Sequence, residues 1–231
     1  MEEELPPLSV ADQEEAISWL SRAVASGGFR LLLLGSTALV LGWALQKTSK
    51  DVDVHPFPVG QRWEAFFDRL SSALEREGGH LRIEPDGASM TAFVPTRAGL
   101  VPVEVIEGRE DFISPAVLAD AVRSARQVGE FLVPSAEHLL VMKAEAYSDR
   151  TGPARAKFGA DILEVVATCF GAGAVNEHEV NRLLNLRPVR KREAMARVIQ
   201  DALGASLPTR TGAKGARPSG QAGRRKPARK R

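Results

Sequence analysis

Asp51 and Asp53 flank a single valine in Asp51-Val52-Asp53-Val54, a stretch that alternates polar and apolar residues. Such alternation predicts a half-buried strand, and on a strand residues two apart point to one face. Two carboxylates would then stand together as hard oxygen ligands of the kind Mg²⁺ or Mn²⁺ takes. The chemistry that needs this is phosphoryl or nucleotidyl transfer, in which divalent ions neutralise phosphate charge and lower the pKa of the attacking hydroxyl. A third acid on a neighbouring strand usually completes such a site, and Glu104, within Val103-Glu104-Val105, is the candidate. Gly35-Ser36 offers a cradle for phosphates. It follows a buried apolar run and opens a helix, where backbone N–H groups and a hydroxyl suit a triphosphate, and glycine permits close approach. Taken singly, each has an ordinary alternative. Asp-x-Asp is commonly a solvated strand face, Gly-Ser is everyday turn chemistry, and a lone glutamate is commonly a surface residue. Their conjunction, in order and on the right elements, carries the functional reading.

The elements that must position these residues can be read from periodicity. Ser9 to Ala25 predicts a helix with Ser9 or Asp12 as its cap, followed by a buried strand over 29–34 and a short apolar helix from Thr37 to Leu45. The strand carrying the acid pair is expected to close at Pro56 and Pro58. Gln61 to Glu77 is amphipathic, with Trp63, Phe66, Phe67, Leu70 and Leu74 at helical spacing. His80 to Glu84 and Ser89 to Val94, separated by Pro85-Asp86-Gly87, predict a hairpin. Leu100 to Ile106 predicts the strand that bears Glu104. A short helix starts at Ser114-Pro115, and one strand is expected within Gln127 to Val133. After Pro134 the pattern is helical, with helices over 135–148, 153–170, 176–186 and 191–203. The expected fold class is therefore α+β: a mixed sheet flanked by helices, then a C-terminal helical bundle and a basic tail. The expected domains are 1–134, 135–203 and a disordered tail, 204–231.

Charge separates the last part from the rest. Residues 206–231 hold nine Lys or Arg and no acid, leaving 22 basic against 29 acidic residues, a body of about −7. A tail this poor in apolar residues cannot offset its ordering entropy, so disorder is expected. Such a polycation attracts phosphate backbones without sequence preference, which makes RNA a candidate partner; a solubility or anchoring tail is the alternative. No run of 18 uncharged apolar residues exists, so no membrane span is expected. The acidic start, Met1-Glu2-Glu3-Glu4, is unlike a secretory signal. The single cysteine, Cys169, builds neither a disulfide framework nor a cysteine zinc site, and a cytoplasmic location is the default expectation.

The segment Gly35-Ser36-Thr37-Ala38-Leu39, followed by Lys47-Thr48-Ser49-Lys50-Asp51-Val52-Asp53, resembles the signature of the nucleotidyltransferase superfamily, the DNA polymerase β-like fold. It is similar above all to the branch that includes the AbiEii-type toxins of toxin–antitoxin systems. That branch reads Gly-Gly-Thr-Ala-Leu, then a basic residue, a Ser or Thr, and Asp-Leu-Asp. The resemblance implies metal binding by Asp51, Asp53 and Glu104, with Gly35, Ser36, Lys47, Ser49 and Lys143 binding the nucleotide. Lys143 stands in Leu139-Leu140-Val141-Met142-Lys143, where the family has a lysine; without the resemblance it reads equally as a snorkelling side chain. Asp161 is expected to be structural, pairing with Lys143 or Arg150. The sequence departs from the pattern in that Ser36 stands at the second glycine, Glu104 replaces an aspartate, Phe158 stands at an aspartate position, and Lys47 replaces the commoner arginine, whose bidentate contact it cannot make.

The remaining residues carry weaker signals. His55 would share the face of Asp53 if its strand continued, and there could help hold metal or phosphate. His80, His138 and His178 are expected at surface or cap positions, and Cys169, Trp43 and Trp63 in the core. Tyr147 suits helix packing or, alternatively, a base stack. The expectation is thus an Mg²⁺- or Mn²⁺-dependent transferase that moves an NMP from an NTP to a hydroxyl acceptor and releases pyrophosphate. The acceptor could be RNA, a protein side chain or a small molecule such as an antibiotic, and a cognate antitoxin is implied by the toxin resemblance. The alternative is a non-catalytic module that binds nucleotide or nucleic acid.

Overall fold

The computed structural model describes residues 7–43, 45, 52–57, 63–83, 89–108, 113–170 and 175–206. Helix α1 (Val10–Ala25) starts with a capping box, the Ser9 hydroxyl accepting from the Asp12 N–H and the Asp12 carboxylate accepting from the Ser9 N–H at 3.0 Å. Strand β1 (Arg30–Leu33) is buried along Leu31, Leu32 and Leu33 and leads into α2 (Gly35–Trp43). Strand β2 spans Val52–Phe57, so it does not stop at Pro56 as its prolines suggest. The reason lies in the pairing. β2 has its β5 partners only from Val52 to Val54, and beyond them it pairs with β1 alone. Pro56 therefore sits where the second ladder needs no N–H, a place that tolerates proline.

Helix α3 (Trp63–Glu77) precedes the strands β3 (His80–Ile83), β4 (Ser89–Thr96) and β5 (Gly99–Ile106). Helix α4 (Pro115–Ser124) is followed by a hairpin, β6 (Arg126–Val128) and β7 (Phe131–Val133), where one strand is expected from the sequence. Gly129 divides it, because its φ of 55° gives the left-handed turn that a two-residue hairpin loop requires. The seven strands form one sheet in the order β3-β4-β5-β2-β1-β7-β6. The β2–β5 and β1–β7 pairs are parallel and the others antiparallel.

Register divides the sheet into two unlike faces. Leu31 and Leu33, Val52 and Val54, Val101, Val103 and Val105, and Met90, Ala92 and Val94 fall on one side, and all are buried. α1 and α3 pack on β3, β4 and β5 and cover this side. The indole N–H of Trp19 donates to Glu77 at 2.6 Å and ties the two helices together. The opposite side carries Asp53, His55, Glu104, Thr91 and Arg82.

After Val133 every described element is helical: α5 (Ala136–Ser148), α6 (Gly152–Val165) continuing into a π-helical turn over Val166–Phe170, α7 (Glu177–Leu184) and α8 (Val189–Ser206). α8 runs through Gly204, beyond the expected start of the tail. The fold is α+β, a mixed sheet flanked by helices. One apolar cluster joins sheet residues such as Leu32 and Val105 to Leu140, Leu183 and Met195 of the helices. Within it the Glu145 carboxylate and the Arg187 guanidinium form a wholly buried ion pair, and the Ser114 N–H donates to Glu145 Oε2 at 3.4 Å. Burial pushes the Glu145 carboxyl up to about 7, against the pull of Arg187. Among the described residues no helix is long and apolar enough to cross a membrane.

Candidate active site

The centre of the site is the junction of β1, α2 and β2. The Leu34 N–H donates to the Asp53 carbonyl at 2.9 Å, which locks the end of β1 against β2. The chain then turns into α2 at Gly35, whose φ is 56°. A Cβ at Gly35 would fall 1.9 Å from Asp53 Oδ2, so only glycine satisfies both the backbone angle and the carboxylate beside it. Thr37, wholly buried, accepts the Asp53 N–H at Oγ1 over 3.3 Å. The first turn of α2 thus lies on Asp53, with the positive end of its peptide dipoles toward that carboxylate. Ser36 is half-buried at the same turn.

Glu104 is the register partner of Asp53 on β5. Paired residues on neighbouring strands lie about 5 Å apart and point to the same side, so the two acids are adjacent, and both are half-buried. Thr91 of β4 is paired with Glu104 in turn, and Arg82 of β3 with Thr91. His55 follows on the face of Asp53, because β2 continues. It is buried, its Nδ1 lies 2.8 Å from the Ile106 carbonyl, and its Nε2 has no hydrogen-bond partner among the described residues. Burial lowers its pKa against the opposing effect of the Ile106 carbonyl, and Nδ1, which faces that carbonyl, carries the donated proton.

The other expected site residues fall elsewhere. Asp51, Lys47 and Ser49 lie outside the described residues. Lys143 is on α5, where its ammonium donates to Asp161 Oδ2 of α6 at 2.8 Å and lies 5.5 Å from the centroid of the Phe158 ring. Its charge is therefore shared with a carboxylate and an aromatic face inside the helical layer. Tyr147 packs under the guanidinium of Arg155, 4.6 Å from its ring centroid. Cys169 is half-buried against the core, and burial pushes its thiol up to about 12. Trp43 is also half-buried, with the Arg126 guanidinium 5.0 Å over its ring.

His138, expected at the surface or a cap, is wholly buried in the first turn of α5, whose N-cap is Ser135. Its Nδ1 meets Ser135 Oγ at 2.8 Å and its Nε2 meets Asp120 Oδ2 at 3.0 Å. Asp120, His138 and Glu179 place their ligand atoms within 4.8 Å of one another, spacing that would suit a metal ion. A guanidinium already occupies that position. Arg182 bonds both Asp120 oxygens and donates to Glu179 Oε1 at 2.7 Å, while Arg123 adds a contact to Asp120 at 2.6 Å. Hydrogen bonding from Arg182 holds the Asp120 carboxyl far below its ordinary range. The cluster is a structural knot between α4, α5 and α7. No local sequence signal announces it, since its members are 18 and 62 residues apart.

The chain matches one family model, described as nucleotidyl transferase of unknown function (DUF2204), over residues 13–200. No curated protein matches it. Among solved structures it is similar to an antigenic nucleotidyltransferase-like protein from Paracoccidioides brasiliensis, at 17% identity over 84% of this chain and 95% of that one, with a TM-score of 0.49. It is similar to ANT(2'')-Ia in complex with adenylyl-2''-tobramycin, at 17% identity over 78% and 95%, with a TM-score of 0.48. A third likeness is to terminal uridylyl transferase 4 from Trypanosoma brucei with bound UTP, at 13% identity over 86% and 66%, with a TM-score of 0.38. Because the family model spans residues 13–200, from the first helix and the sheet through the helices behind it, the chain belongs to this nucleotidyl transferase family.

Proposed function

We propose that this protein moves a nucleoside monophosphate from an NTP to a hydroxyl acceptor, with Asp51, Asp53 and Glu104 as its acids. The observation that carries the reading is the pairing of Asp53 with Glu104 on adjacent parallel strands, with the glycine-led start of α2 lying against the Asp53 carboxylate. These residues fit a divalent cation. Asp53 and Glu104 offer hard oxygen donors on neighbouring strands, and Gly35 keeps clear the space beside Asp53 Oδ2 that a Cβ would fill. Mg²⁺ or Mn²⁺ held there would neutralise phosphate charge and make the acceptor hydroxyl more acidic.

The chain's own residues do the rest. Backbone N–H groups at the start of α2, with Ser36, Lys47 and Ser49, hold the triphosphate and fix the α-phosphorus in line with the acceptor. The acceptor oxygen bonds to the α-phosphorus, the bond to the β-phosphate oxygen breaks, and pyrophosphate leaves. Glu104 takes the acceptor's proton at its carboxylate. Lys143 supports the phosphates if it exchanges Asp161 for the nucleotide. The cationic tail, 204–231, supports an RNA acceptor. The likeness of segments 35–39 and 47–53 to AbiEii-type toxins supports a toxin held by an antitoxin partner.

Purified protein incubated with each labelled NTP, Mg²⁺ or Mn²⁺ and total RNA is expected to transfer label. Asp51→Asn and Asp53→Asn should each abolish transfer without lowering the melting temperature. Label transfer by both variants would remove this site assignment. A second reading, a module that binds nucleotide or nucleic acid without catalysis, is favoured by the Lys143–Asp161 pair, in which the lysine is already neutralised. It predicts metal-dependent NTP binding by calorimetry with no label on any acceptor, or nucleic-acid binding alone.

A further inference from the structure

The two acids begin a row that crosses four strands. Asp53, Glu104, Thr91 and Arg82 are consecutive register partners on β2, β5, β4 and β3. They stand on the sheet face that α1 and α3 leave uncovered, and the row is about 14 Å long at the usual strand spacing. Its inner members are half-buried or buried, and Arg82, at the sheet edge, is exposed. Beside Arg82 on the same face, the exposed imidazole of His80 stacks on Phe93, with ring centroids 4.4 Å apart and planes at 13°. The Arg82 guanidinium lies 5.5 Å from the centroid of the same Phe93 ring. The outer end of the row therefore combines a flat π-surface with a cation, in a body that is otherwise acidic.

We infer that this face is the acceptor site, and that it takes the 3′ end of a single-stranded nucleic acid. The inference rests on the transferase reading above, whose acceptor it names. Stacking on an aromatic platform and a cation on the backbone are the two means by which single strands are held. Here the His80–Phe93 stack receives a base and Arg82 a phosphate. The row then leads the terminal hydroxyl inward across Thr91 to Glu104 and Asp53. A chain with only an arginine at this edge would be explained by edge protection. The stacked imidazole, and the unbroken register back to the acids, are what protection does not require.

The test uses the full chain and a single-stranded oligoribonucleotide carrying a photoreactive 4-thiouridine near its 3′ end. Crosslinked peptides are mapped by mass spectrometry, and Mn²⁺-dependent NTP binding is measured on the same samples. Crosslinks are expected in the peptides of β3 and β4. Arg82→Glu and His80→Ala should each weaken them about tenfold, while crosslinks to the tail persist. Crosslinks confined to 204–231, or unchanged by both substitutions, with NTP binding intact, would overturn the inference alone. Absence of metal-dependent NTP binding by the unaltered chain would overturn the transferase reading and this inference with it.

Discussion

Two constraints meet at Gly35: a left-handed φ and a carboxylate where a side chain would go. Gly35→Ala is expected to destabilise the protein by about 1–2 kcal/mol from the backbone angle alone, and further because Asp53 must move. Urea unfolding gives the first effect. Calorimetry of Mn²⁺-dependent NTP binding gives the second, and undiminished affinity would mean that the Asp53 carboxylate is not where the metal binds. Asp53 also distinguishes its own acid cluster from the Asp120–His138–Glu179 cluster. Because a guanidinium fills the Asp120–His138–Glu179 position, Glu179→Gln should leave Mn²⁺ affinity as it is, whereas Asp53→Asn should abolish it. Equal loss in both would assign the metal to the wrong cluster.

At the scale of elements, the Glu145–Arg187 pair decides how α5 holds the turn between α7 and α8. Both side chains are wholly buried. Glu145→Ala takes the carboxylate away from a buried guanidinium and is expected to cost about 3–5 kcal/mol. Replacing both residues by methionine should be close to neutral, since neither charge is then desolvated. A double variant as unstable as the single one would show that the pair itself contributes the stability. The pair also has a pH signature. Burial pushes the Glu145 carboxyl up to about 7 in the folded chain, from an ordinary value of 4.5. A raised folded pKa gives stability that is complete below the unfolded value and lost as pH rises through the folded value. Unfolding free energy should therefore fall between about pH 4.5 and about pH 7 in the wild type relative to Glu145→Gln, which cannot titrate. Parallel pH dependence in the two proteins would refute the assignment.

For the whole molecule, the charge division between an acidic body and a tail of nine cations predicts how RNA binding responds to salt. If the tail contacts the backbone with all nine charges, neutralising them should reduce the slope of log K against log salt by about 6. Fluorescence anisotropy across a salt series measures this. A slope unchanged by neutralisation would leave the tail without a role in RNA binding and put all of it on the body.

Much of this molecule was legible in its residues. The capping box at Ser9 and Asp12, the buried run of β1, the glycine that opens α2 and the period of α3 depend on neighbours three or four residues away at most, so local spacing determined them. The glycine at the turn into α2 and the strands that carry Asp53 and Glu104 were legible for the same reason. What local spacing could not decide was which strand lies beside which. The pairing of Asp53 with Glu104, and the row onward to Thr91 and Arg82, exist only because β5 inserts beside β2 and folds back on β4. Pro56 stayed in its strand because β5 ended its ladder first. His138 was buried by partners up to tens of residues away, which no periodicity records. The sequence by itself determined the elements and the chemistry they could carry. Tertiary structure decided which charges became neighbours, since charges far apart along the chain meet only after the core between them has closed.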